Sequence, residues 1–267
     1  MPKLPIPQDG EINFVVDNFA WPWDTPETIL CVHGLAECTR AWVRWVPYLA
    51  RLGCVVRMDQ RGFGDSSPMP EDYPWSLDVL ADDVVRMIET VAPEGAHLIG
   101  GKIAGPVTIR AATRRPDLVK TLTLVGTPIV GPSEDAWIST VEEKGVRAWA
   151  AATMDVRLEG MTDAAKAYWI DMMAATPQST ILGFFRFVTS IDVHDDLAKI
   201  CCPTLVIASD NIRRPIQETR DWQEKIPHSV LALVPGTGYH AAATEAVECA
   251  KLTSGFIAKH MGTAALL

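Results

Sequence analysis

Residues 98–116, LIGGKIAGPVTIRAATRRP, join a short apolar run to a helical pattern through a turn of small residues. A buried strand that bends sharply into a helix needs such residues, because glycine and alanine leave room for close backbone approach. Lys102 stands at the centre of the turn, with Gly100 two residues before it and Ala104 two residues after it. The stretch therefore predicts a strand–turn–helix unit that presents one charged side chain at its bend.

Short apolar runs alternate with longer helical patterns on both sides of this unit. Turn residues bound each run, as is typical of strands buried inside a sheet. The predicted strands are residues 28–32, 54–58, 96–99, 122–125, 204–208 and 230–234, and the predicted helices are 41–52, 77–90, 104–114, 215–225 and 244–259. This alternation predicts an α/β fold with a mostly parallel central sheet and helices on both faces.

One interval, from about residue 133 to 187, interrupts the alternation. It carries helical patterns such as DAWISTVEEKGVRAWAAAT, with no convincing strand between them. We expect this block to form a helical cap over one end of the sheet. The predicted division is a core of residues 1–131 and 191–267, with a cap of residues 132–190.

Composition excludes several classes of protein. The 267 residues are 48% hydrophobic and 21% charged, which is ordinary for a soluble globular chain, and the net charge of −9 disfavours a nucleic-acid partner. No secretory signal or membrane-spanning segment is found, so we expect a cytoplasmic protein without a membrane partner. The six cysteines form no CxxC pair. The sequence therefore predicts no metal site and no organic cofactor.

Six separated motifs together resemble the α/β-hydrolase superfamily. They are HGL (33–35), DQRGFGDSS (59–67), the 98–116 unit, LTLVGTP (122–128), CPTLVIAS (202–209) and PGTGYH (235–240). Their order and spacing are most similar to small capped members such as enol-lactonases, carbon–carbon bond hydrolases and haloperoxidase-like esterases. The resemblance implies an enzyme without a cofactor that acts on a small carbonyl compound, either an ester, a lactone or a C–C bond beside a carbonyl.

The centre of the turn departs from this family. Members carry serine, cysteine or aspartate there, on the sharp bend called the nucleophile elbow, whereas this chain has Lys102. A helix N-terminus and an apolar pocket both disfavour an ammonium group, so the pKa of a lysine in that position is lowered. The neutral amine can attack a carbonyl to form a Schiff base, or can serve as a general base.

The resemblance also implies the remaining site residues. The main-chain N–H groups of Leu35 and Ile103 occupy the oxyanion-hole positions. The histidine belongs on the loop after the last strand, where His240 is the first choice and Tyr239, on the usual slot by counting from the C-terminal helix, is the second. The acid belongs after the preceding strand. Ile212 occupies its expected slot, and Asp210 is the nearby substitute.

Further residues are candidates for the pocket. His33 is expected to stabilise the oxyanion loop, and Arg186 either binds an anionic substrate group or lies on the surface. The complete set of pocket candidates is His33, Tyr239, Trp137, Phe184 and Arg186.

Three functions remain open from the sequence. The first is hydrolysis of a small carbonyl compound, with Lys102 as nucleophile or base and His240 as proton shuttle. The second is non-hydrolytic lyase, decarboxylase or isomerase chemistry that uses Lys102. The third is a ligand-binding protein that has kept the pocket without turnover. The expected partner is a small molecule with a carbonyl group, and the oligomeric state is left open between a monomer and a homodimer.

Overall fold

A central sheet of eight strands organises the chain in the computed structural model, which describes residues 2–6, 10–132, 135–211 and 213–261. The strand order is β1-β2-β4-β3-β5-β6-β7-β8. The strands are Lys3–Ile6 (β1), Gly10–Asp17 (β2), Glu27–Val32 (β3), Gly53–Met58 (β4), Ala96–Gly101 (β5), Val119–Val125 (β6), Thr204–Ala208 (β7) and Ser229–Leu233 (β8). All six predicted strands are confirmed, and the pairs from β4 to β8 are parallel, so the predicted fold class is correct.

The first two strands were not predicted. β1 pairs antiparallel with β2, and β2 pairs antiparallel with β4, so both lie at one edge of the sheet. Pro5 within β1 hides the strand pattern, because proline is tolerated in a strand only where a ladder hydrogen bond is not needed. In β2, Ile12 and Phe14 are buried against the core.

Helices cover both faces of the sheet. Their bounds are Val46–Leu49 (α1), Leu77–Val91 (α2), Ala104–Arg114 (α3), Asp135–Arg157 (α4), Asp163–Ala174 (α5), Gln178–Val188 (α6), His194–Leu197 (α7), Ile216–Gln223 (α8), Ala241–Thr244 (α9) and Ala246–Ala258 (α10). Alternate residues of β3 join two different apolar clusters, since Leu30 packs with one and Ile29 with the other. Because side chains alternate across a strand, the two clusters lie on opposite faces.

Two helix predictions need correction. Residues 41–52 form a 3₁₀ turn, Thr39–Trp42, followed by the short α1, because Pro47 has no N–H to continue a helix from the preceding turn. Residues 244–259 divide into α9 and α10 around Glu245, whose backbone is not helical.

The interval between β6 and β7 contains α4, α5 and α6, as its helical patterns predict. Gly145 breaks α4 with a φ of 82°, so the helix has a kink there. Helices α5 and α6 both pack against α4. Residues 133 and 134 lie outside the described part, and the division into core and cap stays a prediction.

The parallel strands bring several loops to one edge of the sheet. The segments after β3, β5 and β8 begin at His33, Lys102 and Val234. Ligands of open parallel sheets bind beyond these carboxyl ends. The fold therefore places the candidate residues near one another.

Helix α3 packs closely against this edge of the sheet. We therefore predict that alanine substitutions at two helical glycines, one in α3 and one in α10, change the free energy of unfolding in opposite directions. A Cβ at Gly105 would overlap the side chain of Thr127, whereas a Cβ at Gly255 meets nothing within 4 Å. We expect Gly105→Ala to lower the free energy of unfolding by about 1–3 kcal/mol. Gly255→Ala is the control, and should raise it by about 0.5–1 kcal/mol. Urea denaturation measures both, and equal effects would contradict the close packing.

Candidate active site

The backbone at Lys102 forms the sharp bend that the sequence predicts. Its φ of 56° lies in the left-handed region, which is uncommon for any residue with a side chain. The Lys102 N–H donates to the Val125 carbonyl at 2.9 Å, and the Lys102 carbonyl accepts from the Gly105 N–H at 2.9 Å. A Cβ at Gly100 would overlap Thr108. The bend is therefore held from both sides and requires a small residue before it.

The side chain of Lys102 is buried at the elbow, with a relative exposure of 5%. Its Nζ donates a hydrogen bond to the Tyr239 carbonyl at 2.6 Å and lies 2.9 Å from the centroid of the Tyr239 ring. The amine thus reaches from the end of β5 to the loop after β8. Of the two residues proposed for the histidine slot, Tyr239 is the one that contacts Lys102.

The surroundings of this amine lower its pKa well below the ordinary value of 10.5. Burial is the largest cause, because it removes the water that would solvate an ammonium group. The positive charges of Arg214 and Arg157 act in the same direction, while Glu37 opposes them. The site therefore favours the uncharged amine, whose contact with the Tyr239 ring is an N–H to π interaction.

A small cavity of about 30 Å³ lies beside Lys102. This is close to the volume of one water molecule in the liquid. Its walls include Leu35, Glu37, Ile103, Trp137, Arg157 and Tyr239. Two of the pocket candidates, Trp137 and Tyr239, are among these walls.

Two main-chain donors at this cavity are unpaired. The N–H groups of Leu35 and Ile103 have no hydrogen-bond partner within the described ranges. Both residues line the cavity. Unpaired donors beside a reacting group are the requirement for an oxyanion hole, so the predicted pair has suitable surroundings.

His240 is paired with a carboxylate that the sequence analysis missed. Its Nε2 lies 2.6 Å from Glu37 Oε1, and Glu37 Oε2 accepts the Gly34 N–H at 3.1 Å. The His240 ring packs edge-on against Trp169, with centroids 4.9 Å apart. His240 Nδ1 has no partner in the described part of the chain. The pair of His240 and Glu37 therefore connects the loop after β8 to the loop after β3.

The Glu37 carboxyl group is ionised in this arrangement. Burial raises its pKa, but the charge and hydrogen bond of His240 and the Gly34 N–H more than offset that effect, so the pKa falls below 4.5. Glu37 stands three residues after Gly34 in the run HGLAE. The signal in the sequence that could have identified Glu37 is this carboxylate so close to Gly34 and Leu35 in the loop after β3.

Asp210, proposed from the sequence as the acid, has a different place in the structure. It is exposed, and its Oδ1 accepts the Ile216 N–H at 3.1 Å at the start of α8. Glu37, not Asp210, contacts His240. The expected acid slot, Ile212, lies outside the described residues. Asp210 therefore stabilises a helix end, which corrects its predicted role.

His33 begins the loop after β3, which contains Leu35 and Glu37 and is the oxyanion loop of the resemblance; its side chain is buried and does not line the lysine cavity. The Gln60 N–H donates to His33 Nε2 at 2.9 Å, so Nδ1 carries the proton and donates to the Gly34 carbonyl at 2.7 Å. These bonds fix the segment before Leu35. The stabilising role of His33 stays a prediction, which its bonds to Gly34 and Gln60 support.

Two further pocket candidates lie elsewhere. Phe184 is buried among aromatic rings, with Phe63 at 5.3 Å and Trp75 at 5.2 Å between centroids, because α6 turns its apolar face toward the core. Arg186 is half exposed and pairs with Glu71 at 2.6 Å. Neither residue lines the lysine cavity.

Comparisons with known proteins agree with this architecture. A family model described as the alpha/beta hydrolase fold matches residues 27–149. The enol-lactonase from Burkholderia xenovorans LB400 superposes with a TM-score of 0.86, at 18% identity, over 96% of this chain and 100% of that chain. The chain therefore has the α/β-hydrolase fold. Bromoperoxidase from Bacillus anthracis has a similar structure, with a TM-score of 0.81 at 23% identity, covering 93% and 96% of the two chains.

Curated relatives of this chain carry the names of hydrolases. "Putative carbamate hydrolase RutD" from Caulobacter sp. (strain K31) is 25% identical over 86% of this chain and 91% of its own length. The 2-hydroxymuconate semialdehyde hydrolase of Pseudomonas sp. (strain CF600) is 32% identical, but only over 37% of this chain and 35% of its own. No helix in the described part of the chain is both long and apolar enough to cross a bilayer.

Proposed function

We propose that this protein hydrolyses a small carbonyl compound, with the uncharged amine of Lys102 as the general base. The supporting observation is a buried amine with a lowered pKa beside two unpaired main-chain donors. In this proposal the N–H groups of Leu35 and Ile103 bind the carbonyl oxygen, and Lys102 accepts a proton from water.

The position of the amine favours a base over a nucleophile. A serine hydroxyl is bonded directly to Cβ, whereas the lysine amine lies several bonds further out. It therefore reaches the loop after β8, where the family resemblance places the catalytic histidine. The bond to the Tyr239 carbonyl uses one N–H and leaves the nitrogen lone pair available. Direct attack on an ester would instead leave a stable amide on the lysine.

The proposed steps balance without a cofactor. Lys102 removes a proton from water, and the hydroxide adds to the carbonyl carbon. The negative charge develops on the oxygen that the two N–H groups hold. Collapse of this adduct expels the leaving group, which takes the proton back from Lys102. The cavity beside the amine has the volume of about one water molecule, so the attacking water fits next to Lys102.

A panel of small esters, lactones and carbamates tests the proposal. Carbamate hydrolysis and enol-lactone hydrolysis are in the names of similar proteins, and both take place at a carbonyl centre. We expect turnover of at least one compound, with ¹⁸O from labelled water in the acid product. Treatment with borohydride and mass spectrometry should find no adduct on Lys102. An adduct would replace the base with a Schiff-base mechanism, and deuterium exchange beside the carbonyl without hydrolysis would indicate an isomerase or lyase.

A protein that only binds its ligand is the second candidate. The closed contact between Lys102 and Tyr239 and the small cavity favour it. Binding of a carbonyl compound by calorimetry, with no turnover across the whole panel, would establish this reading and overturn the hydrolase.

The lowered pKa of Lys102 predicts the pH dependence of the rate. A base must be uncharged, so kcat should fall as the pH drops through this pKa, and the plateau should be reached well below pH 10.5. Arg214→Gln removes a positive neighbour and should move the midpoint to higher pH. Arg220→Gln, on the exposed side of α8, should leave it unchanged. A midpoint that does not respond to Arg214→Gln would show that another group titrates.

A further inference from the structure

An open cleft of about 600 Å³ lies against the lysine cavity. The two spaces share Pro128, Pro132 and Tyr239 as walls. The cleft also has basic residues along it, namely His194, Arg213, Arg214 and Lys225. Glu218 and Asp221 are the acidic residues in its lining. A molecule can therefore enter the cleft and approach Lys102 as far as the wall that the two spaces share.

The Tyr239 ring forms part of that boundary and has basic groups around it. The Arg213 and Arg214 guanidinium carbons lie 5.6 Å and 5.4 Å from its centroid, and Lys102 Nζ also lies over it. Arg214 donates to the Gly126 carbonyl and hydrogen-bonds the Tyr239 side chain, and it makes no ion pair with a carboxylate in the part of the chain that the structure describes. A planar guanidinium so placed has further donors for an oxyanion.

The charged side chains near Lys102 are mostly basic, whereas the chain as a whole is acidic. Besides burial, Arg157, Arg213 and Arg214 lower the pKa of its amine. Glu37 is the carboxylate that opposes them, and it is already bound to His240 and Gly34. The chain as a whole has 33 acidic and 24 basic side chains. A concentration of positive charge at a cleft inside an acidic protein favours an anionic ligand.

We propose that Arg213 and Arg214 bind a carboxylate of the substrate on the cleft side of Tyr239. The reacting carbonyl then lies on the other side, beside Lys102 and the two main-chain donors. The substrate class is a small carbonyl compound that also carries a carboxylate. The identity of the reacting group rests on the proposed function, but the anion subsite does not.

Binding of a matched pair of probes tests the subsite. Calorimetry compares 4-oxopentanoate with its methyl ester, which has the same carbonyl and no negative charge. We expect the acid to bind the wild type at least about tenfold more tightly, because charge-assisted hydrogen bonds are stronger than neutral ones. Arg214→Gln and Arg213→Gln should each reduce this preference, and Arg220→Gln, exposed on the same segment, should retain it.

Three outcomes would overturn the subsite. They are equal binding of acid and ester by the wild type, an equal loss of preference in Arg220→Gln and Arg214→Gln, and tighter binding of inorganic phosphate than of 4-oxopentanoate. Thermal unfolding of each variant shows whether it is folded. If a variant is not folded, Arg214→Lys replaces it, and this variant should bind the acid more weakly than wild type because lysine lacks the two-pronged geometry.

The same probes distinguish this proposal from the proposed function. In Lys102→Met the preference for the acid should persist, since the arginines remain. A wild type that prefers the acid but hydrolyses nothing would leave the subsite standing and overturn the base role. A wild type that hydrolyses neutral esters and shows no preference for the acid would support the proposed function and overturn the subsite.

Discussion

Lys102→Met is expected to lower kcat by at least about 100-fold while leaving the free energy of unfolding unchanged or higher. General base catalysis contributes about 10²- to 10⁴-fold to the rate, and methionine offers no basic nitrogen. The unbranched methionine side chain still fills the space beside Tyr239. Burying an amine costs free energy, and Lys102 recovers only part of it through the bond to the Tyr239 carbonyl. Steady-state kinetics and urea denaturation measure the two effects.

The control for this variant is Lys251→Met, which changes an exposed lysine on α10. Both its rate and its stability should stay close to wild type. If Lys102→Met kept more than half of the wild-type rate, Lys102 would not be the base. A loss of more than about 2 kcal/mol of stability would instead assign the amine a structural role.

Glu37→Ala should have the largest effect on stability of the changes considered. It removes one partner of a buried pair and leaves His240 Nε2 and the Gly34 N–H without an acceptor. Breaking such a pair costs about 3–5 kcal/mol. Glu37→Gln, which retains an acceptor oxygen, should lose less. Urea denaturation at neutral pH gives both values, and Glu143→Ala, an exposed residue of α4, is the control.

The difference in the free energy of unfolding between wild type and Glu37→Ala should become smaller as the pH falls. Folding lowers the pKa of the Glu37 carboxyl below 4.5, so the folded state favours the ionised form. Its contribution is therefore complete above pH 4.5 and is lost as the pH falls through the lowered pKa. The gap in stability between wild type and Glu37→Ala should narrow in acid. A gap that is constant or widens there would show that the carboxylate is not stabilising the fold through its charge.

Local patterns of the sequence predict most of the architecture. Each parallel strand from β3 to β8 contains a short apolar run, so these strands are visible one at a time, although β8 lies at the sheet edge and is partly exposed. The elbow at Lys102 is also local, because small residues two positions away on either side mark it. Strand β1 is less visible because it combines proline with an edge position, where few residues need to be apolar.

The contacts between residues of the site could not be predicted from local patterns. Glu37 and His240 are separated by 203 positions in the chain, and no local pattern joins them. The family pattern places the acid after β7, where Asp210 instead accepts a hydrogen bond at the start of a helix. The contact between Lys102 and the Tyr239 carbonyl depends on how the loop after β8 folds back. Pairings of this kind require the three-dimensional arrangement of the strands.

The hydrogen bond between Lys102 and Tyr239 uses a main-chain oxygen, and this has a consequence for substitutions at position 239. The residue at position 239 can change without removing the acceptor that anchors the amine. Its ring borders both the cleft and the lysine cavity, so such changes would alter which molecules are admitted. A different side chain at position 239 would therefore change the shape of both spaces while the main-chain acceptor of the Lys102 amine stays in place.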